Sequence, residues 1–115
     1  MTTITFFKST DNRLTGYRAS GHAGYGKHGQ DILCSAISAL TQAIGQGIKD
    51  VVNASAEMRC DDNSGFYEIT VEDQQSAEVL EKVQILLRTL ENALIAIAND
   101  RQYSGSIRIN YSERR

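Results

Sequence analysis

The residues best suited to covalent chemistry are a cysteine and a histidine that flank a glycine-rich segment. His22 and Cys34 are twelve residues apart, and the stretch from Gly21 to Gly29 contains four glycines. A cysteine thiolate can attack a carbonyl carbon, and a nearby imidazole can accept the thiol proton. Because twelve extended residues span about 40 Å, the two side chains can meet only if the glycines let the chain turn back. The pattern therefore permits a Cys–His pair that performs acyl transfer.

Asp31 is predicted to begin the helix that carries the cysteine. If Asp31 is the N-cap, Cys34 lies in the first turn, where free backbone N–H groups and the helix dipole favour a thiolate. The same amides could hold the oxyanion of a tetrahedral intermediate. Asp31 has a second interpretation, as the partner that orients His22. Ser38, one turn after Cys34, either forms a hydrogen bond within the site or faces the loop.

The glycine-rich stretch is interpreted as a flap that closes over the thiol. Its members are Gly24, Tyr25, Gly26, His28 and Gly29. Tyr25 or His28 could contact a substrate, and Tyr25 could equally pack the loop down. The stretch also matches G-x-G-x-x-G, but a dinucleotide site needs a parallel strand, turn and helix, whereas the preceding strands read as a hairpin.

Each of these residues also has an ordinary structural explanation. A cysteine in an amphipathic helix is commonly a small buried hydrophobe, and a histidine at a strand end is commonly surface. Cys60 alternates with Ala56 and Met58, so it is predicted to belong to the core, as are Phe6 and Phe7.

Hydrophobic periodicity predicts seven elements in the order ββαββαβ. The strands are expected at Thr2 to Lys8, Arg13 to Ser20, Ala54 to Cys60, Phe66 to Glu72 and around Ile107 to Tyr111. Apolar stripes at helical spacing predict long helices from Asp31 to Val52 and from about Val79 to Asn99; the first stripe is Ile37, Leu40, Ile44, Ile48 and Val51, and the second includes Leu86. This order predicts an α+β, two-layer sandwich with both helices on one face of a mostly antiparallel sheet.

Size and charge limit the classes of function. At 115 residues the chain is expected to form a single domain, residues 1–115. A net charge of −2 without a Lys/Arg run disfavours direct nucleic-acid binding. No signal segment or apolar span is visible, so the cytoplasm is expected, with no membrane insertion and two free cysteines. The cysteines and histidines lack zinc-site spacing.

The segment that carries this chemistry resembles the ribosomal-processing cysteine protease family, also called Prp. The resemblance rests on Gly21-His22-Ala23, Gly29, Asp31-Ile32, Cys34 and Ser38, while length and element order agree over nearly the whole chain. It implies that His22 is the base and Cys34 the nucleophile of an endopeptidase.

The resemblance also implies the biological setting of the reaction. The substrate would be the precursor of large-subunit ribosomal protein number 27, from which a short N-terminal extension is removed. The enzyme would be a cytoplasmic homodimer that needs no cofactor, with a loop between His and Cys that orders on substrate. Two rivals are a non-catalytic ribosome-associated assembly or binding protein, and a redox-sensing thiol that is oxidised reversibly without hydrolysis.

Overall fold

The computed structural model describes residues 1–21, 28–61 and 65–114, with residues 28–31 described by their backbone alone. The elements follow the predicted order ββαββαβ. They are β1 (Thr2–Lys8), β2 (Leu14–Ser20), α1 (His28–Gln46) with a π-helical extension (Gly47–Val51), β3 (Ala56–Asp61), β4 (Phe66–Val71), α2 (Ala77–Asn99) and β5 (Ile107–Glu113).

The five strands form one sheet in the order β3-β4-β2-β1-β5. All neighbouring strands are antiparallel except β1 and β5, which run parallel. The parallel pair is possible because the long connection through α2 returns the chain to the other edge of the sheet. The predicted α+β class with a mostly antiparallel sheet is confirmed.

Both helices pack on one face of this sheet and enclose the apolar core. The largest fully buried side chains come from strands and helices alike: Ile4, Phe6, Tyr17, Ile69, Leu33, Ile48, Val83, Leu87, Leu90 and Leu94. Each such side chain contributes roughly 1.5–3 kcal/mol through the apolar surface it removes from water. Tyr17 also donates its hydroxyl hydrogen to the carbonyl oxygen of Thr41, which ties β2 to α1.

Helix α2 agrees closely with its sequence pattern. Its N-cap is Ser76, whose side chain accepts a hydrogen bond from the Val79 amide, and the helix ends at Asn99 as predicted. One position differs from the predicted stripe, which included Leu86. Leu87 is fully buried in its place, and Leu86 is only partly buried. Leu86 packs at the rim of the core, towards Gly47.

Helix α1 differs from its prediction at both ends. It begins at His28, so Asp31 is its fourth residue, and the interpretation of Asp31 as the N-cap is wrong. No proline interrupts residues 28–30, so nothing in the covalent chain stops the helix from extending towards its N-terminus. At the other end the π-helical segment changes the angular spacing of side chains, and Val51 is 79% exposed instead of continuing the buried stripe.

The opposite face of the sheet carries Phe7 and a row of charged side chains. Phe7 is fully buried, as is Phe6 on the helix side, so the prediction that both phenylalanines are packing residues is confirmed. The guanidinium of Arg114 covers the Phe7 ring, with its central carbon 3.6 Å from the ring centroid. Neither helix of the described chain covers this face.

Candidate active site

A groove of about 330 Å³ lies between α1 and the edge of the sheet formed by β3 and β4. It exists because α1 covers the middle of the sheet, whereas β3 is an edge strand whose residues are mostly exposed. The α1 wall is polar and carries residues four apart in sequence: Cys34, Ser38, Gln42 and Gln46. The sheet side includes Met58, Cys60 and Tyr67.

Cys34 lies at the boundary between this groove and the core. Its thiol is free and half-buried, and the residue packs against the apolar cluster while also lining the groove. Its helical neighbour Ser38 lines the same groove. The position of Cys34 gives a ligand access to the sulfur while the core fixes the helix that carries it.

The predicted position of Cys34 within the helix is wrong by about one turn. Because α1 begins at His28, Cys34 is its seventh residue and lies beyond the four amides that an α-helix leaves without an internal partner. The interpretation that first-turn amides at Cys34 hold an oxyanion is therefore not supported. The dipole effect also weakens beyond the first turn.

Two hydroxyl groups near Cys34 differ in availability. Ser38 is exposed and lines the groove, so its hydroxyl can face a bound molecule. Thr41 is 2% exposed, and its Oγ1 donates to the carbonyl oxygen of Ile37 at 2.9 Å, an internal helix contact. Of these two residues, Ser38 is the one whose hydroxyl is available to a ligand in the groove.

Gly21, the last described residue before segment 22–27, lines the same groove as Cys34. It has φ +90°, and a Cβ at this position would be 2.6 Å from the Met1 carbonyl oxygen. Both features require glycine, because a side chain would strain the backbone and clash with the start of the chain. The groove that contains Cys34 is therefore lined by Gly21, the residue directly before His22 in the sequence.

Most of the remaining predicted site residues fall outside the described part of the chain. His22, Gly24, Tyr25 and Gly26 lie in the segment 22–27, which is outside the described residues. The backbones of His28, Gly29 and Asp31 form the start of α1, and their side chains are outside the description. The pairing of His22 with Cys34, the flap and the role of Asp31 stay predictions.

Cys60 was predicted to be core, and that prediction is wrong. Cys60 is free and exposed, and it lines the groove on the sheet side. Alternation assigns a side chain to a face of a strand, but no helix covers that face at the β3 edge. The two cysteines therefore occupy one groove.

Sequence reasoning also missed Tyr67, which supports the groove from the sheet. A Cβ on Gly45 would be 2.0 Å from the Tyr67 hydroxyl oxygen, so only glycine lets α1 approach this ring. Burial, followed by nearby Cys60, raises the pKa of Tyr67 above its ordinary value of 10. The hydroxyl is buried without a hydrogen-bond partner within the described ranges. A glycine at helical spacing from Cys34 was the one available signal.

Within residues 1–21, 28–61 and 65–114, no group of three or more His, Cys, Asp or Glu residues is placed to hold a metal ion. Neither helix in these ranges is long and apolar enough to cross a membrane.

Comparisons with known proteins point to one protease family. The model of a family described as "Cysteine protease Prp" matches residues 1–108. The ribosomal processing cysteine protease Prp of Staphylococcus aureus is 28% identical over 111 residues, which cover 96% of this chain and 99% of that protein. The Bacillus subtilis protein of the same name is 21% identical and covers 95% and 96% of the two chains.

Solved structures show the same fold. The S. aureus ribosomal processing protease Prp in complex with a substrate peptide superposes with a TM-score of 0.83 at 25% identity, covering 97% of this chain and all of the other. A second S. aureus structure, with a covalently linked product peptide, gives a TM-score of 0.79 at 28% identity and the same coverage.

Proposed function

The chain belongs to the cysteine protease Prp family, and on that premise we propose that Cys34 is its nucleophile and His22 its general base. Membership makes the protein a cysteine protease of the group that processes ribosomal proteins. The observation that carries the residue assignment is the placement of Cys34 in the groove. Its thiol is reachable from the same cavity that Gly21, the neighbour of His22, lines.

The proposed reaction proceeds through a thioester. The His22 imidazole accepts the Cys34 proton, and the thiolate attacks the scissile carbonyl carbon. The tetrahedral intermediate collapses as the imidazolium gives the proton to the departing amine. His22 then deprotonates water, whose attack on the thioester releases the new carboxylate and restores the thiol.

Supporting roles are assigned by position. Ser38 lies one helical turn from Cys34 on the exposed side of the groove, where its hydroxyl can donate to the developing oxyanion. Asp31 is assigned to orient His22, because its place in α1 leaves that role as the remaining interpretation. Gly24, Tyr25, Gly26, His28 and Gly29 are assigned to a flap that closes over the peptide.

The proposed substrate is the precursor of large-subunit ribosomal protein number 27, cut after its short N-terminal extension. We assign one catalytic domain to the 115 residues, since strands from both ends of the chain meet in one sheet around one core. The enzyme is proposed to act as a cytoplasmic homodimer that needs no cofactor. Residues from Cys34 to Gln46, about three helical turns of α1, line the groove, which gives it the length to bind a peptide segment.

The test is cleavage of a peptide that copies the N-terminus of the organism's own ribosomal protein. Wild-type protein should produce two fragments in mass spectrometry, whereas Cys34→Ala and His22→Ala, folded by circular dichroism, should produce none. Cys60→Ala is the matched control, because it removes the other thiol in the groove. Cleavage by folded Cys34→Ala would refute the assignment, and loss of cleavage in Cys60→Ala alone would transfer it to the second thiol.

A further inference from the structure

We propose that Gln42 and Gln46 of α1 bind the main chain of the substrate peptide, each pairing its side-chain amide with one residue of the extension that is removed. The proposal rests on the function proposed above and deepens it. It adds two substrate-binding residues and states which side of the scissile bond they contact.

Both glutamines are exposed and lie on the wall of the groove that carries Cys34. They follow Cys34 in the same helix by eight and twelve residues, with Ser38 between, so all four side chains lie on one flank of α1. Within residues 1–21, 28–61 and 65–114, neither glutamine amide forms a hydrogen bond with another part of the protein. Each amide therefore has a donor and an acceptor that a bound peptide can reach.

The protein uses glutamine to bind main chain at two other places. The Leu14 N–H donates to Gln84 Oε1 at 2.9 Å, and Gln84 Nε2 donates to the Leu14 carbonyl oxygen at 2.6 Å. Gln75 pairs in the same way with the N–H and the carbonyl oxygen of Ser55, at 2.7 and 2.8 Å. One glutamine amide thus pairs with both polar groups of a single residue, at the start of β2 and directly before β3. An extended peptide residue presents the same two groups on one edge.

The spacing of Gln42 and Gln46 matches the repeat of an extended chain. Four residues of an α-helix rise about 6 Å, and two residues of a strand span about 6.6 Å. Alternate residues of a strand direct their N–H and C=O groups to the same edge. The two glutamines can therefore pair with two peptide residues that are separated by one residue.

The distance from Cys34 selects those peptide residues. Along the helix axis, Gln42 lies about 12 Å and Gln46 about 18 Å from Cys34. With the scissile carbonyl at the Cys34 sulfur, an extended peptide advances about 3.3 Å per residue. This places the fourth or fifth residue from the scissile bond beside Gln42, and the sixth or seventh beside Gln46.

The contacts are assigned to the N-terminal side of the scissile bond, which is the extension. The mature protein keeps every residue on the C-terminal side, so binding those residues would retain the product in the groove. Binding the extension instead favours the precursor over the mature chain. This direction also brings the terminal ammonium group of the peptide towards the C-terminal end of the helix, where the dipole favours a cation.

The test combines N-methylation of the peptide backbone with the two glutamine variants. The peptides copy the organism's own precursor and have at least seven residues before the scissile bond, completed with alanine where the extension is shorter. They are N-methylated singly at the fourth to seventh residues on either side of that bond, which removes the donor that a glutamine oxygen accepts. The parameters kcat and KM are measured for wild type, Gln42→Ala and Gln46→Ala.

Each glutamine variant should raise KM for the unmodified peptide by about three- to tenfold and leave kcat nearly unchanged, because it removes hydrogen bonds made equally in the ground and transition states. In wild type, N-methylation at two residues before the bond, separated by one residue, should raise KM by a similar factor. Gln42→Ala should abolish the effect at the nearer residue, and Gln46→Ala at the farther one. N-methylation of the intervening residue should act equally on all three enzymes.

Gln74→Ala is the matched control, because Gln74 is exposed and lies outside the groove, and its KM should equal that of wild type. Absence of cleavage by wild type overturns the proposed function itself. Normal cleavage with equal KM in wild type and both glutamine variants overturns this inference alone. Raised KM without the paired loss of sensitivity to N-methylation overturns main-chain pairing, and paired loss at residues after the scissile bond overturns the assigned side.

Discussion

Helices α1 and α2 lie on the same face of the sheet but differ in how completely they are used for packing. The buried stripe of α2 contributes four apolar residues, Val83, Leu87, Leu90 and Leu94, all at most 1% exposed. One flank of α1 is buried through Leu33 and Ile37, whereas the other is polar and borders the groove with Cys34 and Ser38. The difference indicates that α2 mainly stabilises the fold, and that α1 gives up packing on one side to present chemistry.

The largest expected effect is the loss of activity in Cys34→Ala. Removing the proposed nucleophile should lower kcat by about a thousandfold or more. The unfolding midpoint in urea should change little, because the thiol is only half-buried. Peptide cleavage and urea unfolding of the same preparation check both parts. Strong destabilisation of Cys34→Ala would contradict the claim that this side of α1 serves chemistry and not packing.

Leu94→Ala in α2 should produce the opposite result. Leu94 is fully buried, so truncation should lower the free energy of unfolding by about 2–5 kcal/mol. Activity per folded molecule should remain near wild type, since Leu94 does not line the groove. Urea denaturation and cleavage rates corrected for the folded fraction provide the measurement. A selective loss of kcat without destabilisation would assign a functional role to α2.

Gly45→Ala tests whether α1 depends on close contact with the sheet. The new methyl group would meet the Tyr67 hydroxyl, so overpacking should cost about 1–3 kcal/mol of folding stability. Gly47→Ala is the matched control, because its Cβ would meet only Leu86 Cδ1 at an ordinary 3.5 Å. Thermal unfolding should show a lower Tm for Gly45→Ala than for wild type, and an unchanged Tm for Gly47→Ala. Equal Tm values would show that α1 is free to shift.

The smallest predicted effect concerns the start of α2. Ser76→Ala removes the side-chain acceptor of the Val79 amide and should reduce stability by about 1 kcal/mol. Ser104→Ala, at an exposed position in the turn after α2, is the control and should have little effect. Chemical denaturation resolves this difference. No change in Ser76→Ala would mean that water replaces the cap at no cost.

The two helices also differ in how well the sequence predicted them. The apolar stripe of α2 is a local pattern, and it predicted the helix and its end at Asn99 correctly. The start of α1 was wrong because a carboxylate is a frequent cap but not an obligatory one, and residues 28–30 can be helical. The prediction that Cys60 is buried was wrong because alternation of side chains along a strand does not show whether another element covers an edge strand.

The groove itself required tertiary information. Cys34 and Ser38 could be selected from spacing on one helix and from the family resemblance. Met58 and Tyr67 come from different strands, and their approach to α1 depends on the strand order and on Gly45. No local pattern specifies such long-range neighbours.

The most direct test compares the alkylation rates of the two cysteines with iodoacetamide at neutral pH, followed by peptide mass spectrometry. Exposure alone favours Cys60, which is exposed, over half-buried Cys34. The proposed Cys34–His22 pair predicts that Cys34 nevertheless reacts faster, and that His22→Ala removes its advantage without affecting Cys60. Faster reaction at Cys60, or a Cys34 rate unchanged by His22→Ala, would contradict the assignment of the catalytic pair.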